Sequence, residues 1–384
     1  MFTNITRTAK NLIKTTIGVI TYPYYQVSYL NRTTREFIPT DGRYAIVHLD
    51  RQLTGDDYSR YFYSICMYFS NAGFQVVVKS YLRDFRNISK VGFQENIWNE
   101  KYIFVRNCST PLNSVTLLQP GFAEHVIKFS YGYNVLKKGL YDCVAPYPMH
   151  PNQYKLFLNP IFHDELRKSN RIMKISFSGK AKEVMYADIR VKTFFNVMSR
   201  LEVLRFILAQ YSGKTRHLKS EADKLMLQQI LNSVNRVDAI VISEVKTEEK
   251  DWLNFLWKSD FFICPPGARM PWSHNCVEAM SAGAIPILEY GSLFHPSLEH
   301  KKNCLSYTNL EELRSAIDTA LGMEPHDIEV MRKNVFDYYA QYLSGDSIER
   351  RINEFYLSPR SLLTVAIPFV PTIKEWRSIP WLGR

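Results

Sequence analysis

Several things are missing from this sequence, and each absence closes a route. The six cysteines (Cys66, Cys108, Cys143, Cys264, Cys276 and Cys304) form no C-x-x-C pair. That removes the usual zinc-knuckle and dithiol patterns and leaves free buried thiols in a reducing compartment as the expectation. His295, His300 and Cys304 match no zinc spacing either, so no metal is expected. No window approaches the roughly 20 apolar residues of a membrane-spanning helix. The net charge of +11 is scattered as "LKK", "HKK" and "ERR" without a long basic run. A nucleic-acid-binding arm is therefore not expected, whereas a phosphate-handling pocket or a membrane-facing surface is.

Two glycine-lysine stretches also fall short. "YSGKTRH" has Leu208 where a phosphate-binding P-loop needs its first glycine, and "FSGKA" has Lys174 there and Ala181 after its lysine. The N-terminus lacks a clean cleavage site, so it reads poorly as a secretory signal. The sequons at Asn4, Asn31, Asn87 and Asn107 then carry no weight, and a cytoplasmic protein, in peripheral contact with a membrane or not, is expected. Lys10 and Lys14 beside Leu12, Ile13, Ile17, Val19 and Ile20 leave two readings of the start: an interfacial segment, or a disordered or strand-forming lead-in.

What is present is a soluble, globular composition, 46% apolar and 22% charged over 384 residues, enough chain for two cores. "YAIVHLD" (44–50) reads as a strand buried on both faces. The helical periodicity of "YSRYFYSICMYFSNAG" ends at Gly73, and "FQVVVKS" is a second strand. Strand, helix and strand with short connections make a βαβ unit and so a parallel sheet. "KYIFVRN" and "HVIKFSY" add strands. "VAPYPMHPNQY" carries Pro146, Pro148 and Pro151, a density expected to exclude helix and to give a stiff linker.

A second series follows: "RIMKISFSG", a long helical region over "VKTFFNVMSRLEVLRFILAQ", "VDAIVISE", "DWLNFLWKS", "DFFIC", a loop, a short helix and "AIPILEY". Asn309 and Glu312 stand in capping-box spacing at the next helix, and two closing helices precede a proline-containing tail. The expected class is α/β, with two Rossmann-like domains whose parallel sheets face a central cleft. The boundaries are a lead-in over 1–43, a first domain over 44–145, a linker over 146–170, a second domain over 171–345 and a closing helix and tail over 346–384.

The densest chemistry lies in "CPPGARMPWSHNCVEAMSAGAIPIL" (264–288). It follows a strand end, where parallel sheets bind ligands and helix N-termini point free N–H groups outward. Gly267 suits close approach of backbone to an anion, and Arg269 is a two-pronged phosphate donor. His274 and Asn275 open the helix that carries Glu278, while Ser281 and Gly283 allow tight packing at its end. Each has a duller reading. Asn275 and Glu278 stand at capping-box spacing, Gly283 is a natural helix stop, Arg269 could be a solvent-exposed arginine and Trp272 plain packing.

These residues carry a resemblance. "SDFFICPPGARMPWSHNCVEAMSAGAIPILEYG", with "YDCVAPYPMHP" and "KISFSGKA" upstream, resembles the nucleotide-sugar-binding segment of exostosin-type glycosyltransferases, a branch of the GT-B class. The similarity spans about residues 142–288. It implies that Glu278 holds the donor ribose and that Arg269, with the Gly179–Lys180 loop, neutralises the diphosphate. His274, Asn275, Ser281, Gly267 and Gly283 complete the expected donor site. No cofactor is implied; the substrate is a nucleotide-diphosphate sugar, UDP ahead of GDP. No D-x-D pair occurs, which fits a fold that stabilises the departing phosphate with protein cations.

The first domain is then the acceptor domain and would supply any base: Asp50 first, with His48 and Asp57 behind it, although a strand-end Asp also suits a turn or cap. The expected reaction is transfer to a glycan or lipid-linked hydroxyl in surface polysaccharide or glycoconjugate synthesis. A non-catalytic nucleotide- or glycan-binding protein on the same fold is the alternative.

Overall fold

The computed structural model describes residues 23–49, 59–89, 94–131, 139–157, 170–182, 186, 190–237, 239–268 and 270–367. The chain divides into two compact units, residues 1–128 with 352–363, and residues 129–351 with 364–384. Each is an α/β unit on a Rossmann-like sheet.

The first unit opens with helix α1 (residues 23–32) and strand β1 (Thr33–Glu36), both inside what the sequence reads as a lead-in. Strand β2 (Tyr44–His48) is buried throughout. Helix α2 (Ser59–Asn71) turns Tyr61, Phe62, Tyr63, Ile65, Cys66, Met67 and Phe69 inward. It stops where expected: Gly73 takes φ +88°, and the Phe74 N–H reaches back to the Phe69 carbonyl at 3.0 Å, the closing bond of a helix that ends on a left-handed residue. Then come β3 (Gln75–Lys79), α3 (Leu82–Ile88), α4 (Gln94–Asn99), β4 (Ile103–Asn107), β5 (Ser114–Leu118) and β6 (His125–Tyr131).

The strand order is β1-β4-β3-β2-β5-β6. The first three pairings are parallel, as expected, but β2–β5 and β5–β6 are antiparallel. The wholly parallel reading is corrected here. A turn with Asn113 at φ 59° and a short one through Gly121 cannot span a crossover, which takes a dozen or more residues. "SVTLL" gave no signal as a strand, being short and interrupted by Thr116.

The second unit holds β7 (Cys143–Val144), α5 (Pro151–Phe157), β8 (Met173–Ser178), α6 (Arg190–Phe195), α7 (Arg200–Gln210), β9 (Thr215–Leu218), α8 (Lys224–Asn232), β10 (Ile240–Ser243), α9 (Glu249–Trp257), β11 (Ser259–Ile263), α10 (His274–Ser281), β12 (Ile285–Leu288), β13 (Leu305–Ser306), α11 (Leu310–Gly322) and α12 (Pro325–Tyr338). Its six-stranded sheet, β13-β12-β11-β8-β10-β9, is parallel throughout. Helix α13 (Gly345–Leu357) and strand β14 (Leu362–Ile367) close the described chain, with the end of β14 running parallel to β7.

Three expectations change in the second unit. Pro151 does not exclude helix; it is the first residue of α5, where a missing N–H costs nothing and the fixed φ suits a first turn. The single long helical region is two helices, broken at Asn196 (φ 51°) and restarted by a Ser199–Glu202 capping box. The tail contributes β14. The Asn309–Glu312 signal holds in part: Asn309 Oδ1 accepts the Glu312 N–H at 2.9 Å, but the Glu312 carboxylate turns to the Thr308 N–H and hydroxyl. No helix among the described residues is long and apolar enough to cross a membrane.

Candidate active site

In the second sheet, chain order reverses between β8 and β11. From β8 the chain leaves toward β10 and β9, and from β11 toward β12 and β13. Loops after two such strands diverge and open a crevice at their carboxyl ends, the place where doubly wound sheets bind ligands. The Gly179–Lys180 loop follows β8, and the Cys264–Ser273 loop, leading into α10, follows β11. The sequence placed both stretches correctly at strand ends.

Arg200, absent from the sequence reading, holds these loops together. As first residue of α7 it sends Nε to the Pro266 carbonyl (3.1 Å) and Nη1 to the Lys180 carbonyl (3.0 Å) and the Tyr186 hydroxyl (2.8 Å). Its guanidinium lies over the Tyr186 ring at 4.2 Å. It is 5% exposed and, among the described residues, has no carboxylate partner. Burial disfavours its charge and pushes its pKa down. Such a cation at a strand-end crevice gains from an anion that enters and compensates it. The S-x-x-E capping spacing of Ser199 and Glu202 was the available signal that a helix starts at Arg200.

Helix α10 adds the other half of an anion site. Its N-cap Ser273 makes no side-chain capping bond, and the buried Ser273 Oγ has no hydrogen-bond partner among the described residues. The capping box suggested for Asn275 and Glu278 does not form. Asn275 instead sends Nδ2 to the Ser178 carbonyl at 3.0 Å, tying α10 to the end of β8. Gly179 is squeezed between these groups: a Cβ there would lie 3.2 Å from Phe177 Cζ, 3.4 Å from Asn275 Nδ2 and 3.6 Å from Arg200 Nη1. Lys180 is exposed at this edge.

The structure seals Glu278, expected to hold a ribose. The residue is 0% exposed. Its Oε1 accepts the His150 backbone N–H (2.7 Å), and its Oε2 accepts Trp252 Nε1–H (2.7 Å) and His274 Nδ1–H (2.8 Å). Burial would raise its pKa, but His274 and the other two donors outweigh burial and hold it at about 2. The solvent-facing member of this group is His274, whose side chain is 30% exposed. Neither His150 nor Trp252 was marked from sequence, since their tie to Glu278 crosses 128 and 26 residues of chain.

Other expected residues serve the loop and helix themselves. A Cβ at Gly267 would meet the Met270 carbonyl at 2.7 Å and the Trp272 carbonyl at 3.0 Å, so the missing side chain lets the loop close on itself instead of admitting an anion. Trp272 is buried against Phe195, which is the packing role. Ser281 Oγ donates to the Glu278 carbonyl at 2.7 Å and is buried. Gly283 is the helix stop, at φ +68°, and any Cβ would run into the Phe336 ring. Arg269, Asp50 and Asp57 lie outside the described residues.

At the end of β12, Glu289 accepts the Met198 N–H at 2.7 Å, and burial pushes its carboxyl up to about 7. In the first unit, His48 ends β2. Its Nδ1–H donates to the Thr110 carbonyl at 3.1 Å, and Nε2 is buried with no partner among the described residues. Burial lowers its pKa, so the ring is neutral near pH 7 and Nε2 is an acceptor.

No protein-family model matches the chain, and no curated protein sequence matches it. Among solved structures, the chain is similar to Anabaena HepE in complex with UDP-glucose, with 12% identity, 81% of this chain and 98% of that one covered, and a TM-score of 0.40. It is similar to the C-terminal domain of a glycosyl transferase group 1 family protein (LpcC) from Francisella tularensis at 12% identity, covering 50% and 93%, with a TM-score of 0.29. A third is an α,α-trehalose-phosphate synthase (UDP-forming) from Burkholderia xenovorans, at 10% identity, covering 76% and 63%, with a TM-score of 0.28. At such distances the function has to be argued from the site's own chemistry.

Proposed function

We propose that the second unit binds a nucleotide-diphosphate sugar, UDP ahead of GDP, and that the protein is a GT-B glycosyltransferase of the exostosin-type branch, acting without a metal. The observation that carries this reading is Arg200, a buried cation without a carboxylate partner among the described residues, at the crevice where β8 and β11 part. The unpartnered Ser273 Oγ at the start of α10 supports it independently. Together they offer a guanidinium, a hydroxyl and helix N–H groups to a diphosphate, with Lys180 at the rim.

In the proposed reaction, the bond between the anomeric carbon and the diphosphate oxygen breaks as the acceptor hydroxyl oxygen bonds to that carbon. Negative charge grows on the departing diphosphate, and fixed cations and helix dipoles stabilise it without reorganising. His274 meets the ribose or the adjoining phosphate in this reading, and Glu278 acts through it by fixing which ring nitrogen carries the proton. In an inverting reaction the acceptor hydroxyl's proton would go to a base, Asp50 first, with His48 and Asp57 behind it. The acceptor is a glycan or lipid-linked hydroxyl in surface polysaccharide or glycoconjugate synthesis.

The test is thermal stabilisation by UDP, GDP, ADP, CMP and their sugar conjugates, followed by a donor-turnover assay. A ligand that binds the folded state at a hundred times its Kd adds about 2.7 kcal/mol, a rise of several degrees. A rise with one nucleotide and turnover of its sugar conjugate are expected. Binding without turnover of any conjugate would favour the non-catalytic binding protein, and no rise with any nucleotide would overturn the reading.

A further inference from the structure

Helix α1 has one anchored and one open face. On the anchored face, the Tyr29 hydroxyl donates to the Ser80 carbonyl at 2.8 Å and its ring meets Phe85 edge-on at 5.5 Å. Arg32 lies over Trp98 at 5.2 Å, and Arg86 lies over Tyr25 at 5.8 Å. The open face carries Tyr24, Val27 and Leu30, three residues apart and so on one side of the helix, at 72%, 57% and 48% exposure. A folded chain that leaves a tyrosine, a valine and a leucine in one exposed stripe has left an apolar surface to be covered by something else.

The charge around the stripe says what that is. Arg32, Arg35 and Arg83 are exposed beside it, and Arg86 is half-buried. Of the acids on the neighbouring elements, Asp84 is buried and within 3.8 Å of Arg83, Glu100 is half-buried against the Tyr63 hydroxyl, and Glu36 and Glu95 are exposed, so the four arginines leave the patch net cationic. Glu36 is also the first acidic residue in the chain: Arg7, Lys10, Lys14, Arg32 and Arg35 all precede it. The segment that enters α1 is thus cationic and, with Leu12, Ile13, Ile17, Val19 and Ile20, apolar in part.

We infer that the open face of α1 is a docking surface for an anionic phospholipid bilayer. Ten residues of helix extend roughly 15 Å, too short to span, so α1 would lie in the membrane plane. Tyr24, Val27 and Leu30 would enter the headgroup boundary, and the arginines would stay at the lipid phosphates. Its charge complements phosphatidylglycerol or phosphatidylserine headgroups. The inference does not depend on the reading of the second unit.

Vesicle flotation of the full chain tests it, with neutral phosphatidylcholine vesicles against vesicles that also contain phosphatidylglycerol. Wild type should float with the anionic vesicles, stay largely in solution with the neutral ones and be released as salt is raised. The double variant Val27→Asp and Leu30→Asp should bind at least about tenfold more weakly, and Arg35→Glu less severely so. Both aspartates fall on exposed positions, so an unchanged thermal midpoint certifies the fold. Val27→Cys carrying a dansyl group should shift to the blue on anionic vesicles, while a dansyl group at exposed Val234 of the other unit should not. The inference is overturned if wild type ignores anionic vesicles, if the double aspartate variant floats like wild type, or if the probe at position 27 does not shift. It is equally overturned if the stripe mediates self-association that Val27→Asp abolishes, since the occupant would then be a second copy of the chain.

Discussion

Among the described residues two arginines are buried in the second unit, beyond opposite ends of strand β11, and they are treated differently. Arg332, at the amino end, meets Asp260 at 2.8 Å. Arg236 reaches the other oxygen of Asp260 at 3.6 Å, and Lys174 is tied to the Met323 carbonyl at 2.8 Å. Arg200, at the carboxyl end, has carbonyls, a phenol and an aromatic face, and no acid among the described residues. A charge closed by a carboxylate inside the fold serves the fold. One left uncompensated is held for something that arrives. The same sheet thus has a sealed end and an open end.

The largest expected effect falls on the sealed end. Asp260→Ala strands Arg332 and should cost about 3–5 kcal/mol of stability in denaturant unfolding, while the surviving folded protein binds nucleotide as before. A loss of nucleotide affinity at native temperature would break the separation of the two ends.

Next comes Glu278, an acid at the open end that the protein's own donors have sealed. Its pKa is depressed, from 4.5 to about 2, so its contribution to stability is complete above about 4.5 and is lost as pH falls from there toward 2. Asp260 has the opposite sign. Burial raises it from 3.8 to about 6, against the pull of Lys174 and Arg236, so its folded state holds the proton longer and stability falls as pH rises from about 4 to 6. Unfolding measured across this range should lose the lower slope in Glu278→Gln and the upper slope in Asp260→Asn. Glu278→Gln should also lose about 1–3 kcal/mol at neutral pH, since an amide cannot accept at both atoms.

The smallest effect concerns Glu289, whose carboxyl titrates at about 7 beside the Met198–Arg200 turn. Ionisation adds a negative charge near the open end, so UDP affinity should weaken as pH rises through 7, by about threefold or less. Calorimetric titrations of Glu289→Gln at pH 6 and 8 should lack that slope.

The open end was half legible in the sequence, for a definable reason. Strands β11 and β12 carry the apolar runs "FFI" and "IPIL", β8 alternates Met173, Ile175 and Phe177 with Lys174, Ser176 and Ser178, and Gly283 marks where α10 stops, so the crevice could be located from local pattern alone. What lines it could not. Arg200 acts through carbonyls on two distant loops, and the donors to Glu278 come from His150, just ahead of α5, and from Trp252 on α9. Local rules also misread Pro151, which begins a helix as readily as it ends one, and missed β5, whose antiparallel pairing is set by its partners. The residues named for a ligand turned out to include some, Gly267 and Ser281, whose conformations serve the loop and helix that carry them.

A calorimetric titration of UDP into wild type and Arg200→Met tests the role of the buried cation most directly. Methionine fills much of the same volume without charge; the loss of the bonds to the Pro266 and Lys180 carbonyls should cost about 1–3 kcal/mol of stability, so a thermal midpoint checks that the variant is folded at the titration temperature. The expected result is saturable binding to wild type and affinity at least about thirtyfold weaker in the variant, the loss of roughly 2 kcal/mol that a charged hydrogen bond supplies. Equal affinity in a variant that folds as wild type does would contradict it, and Arg200 would then be a structural arginine like Arg332.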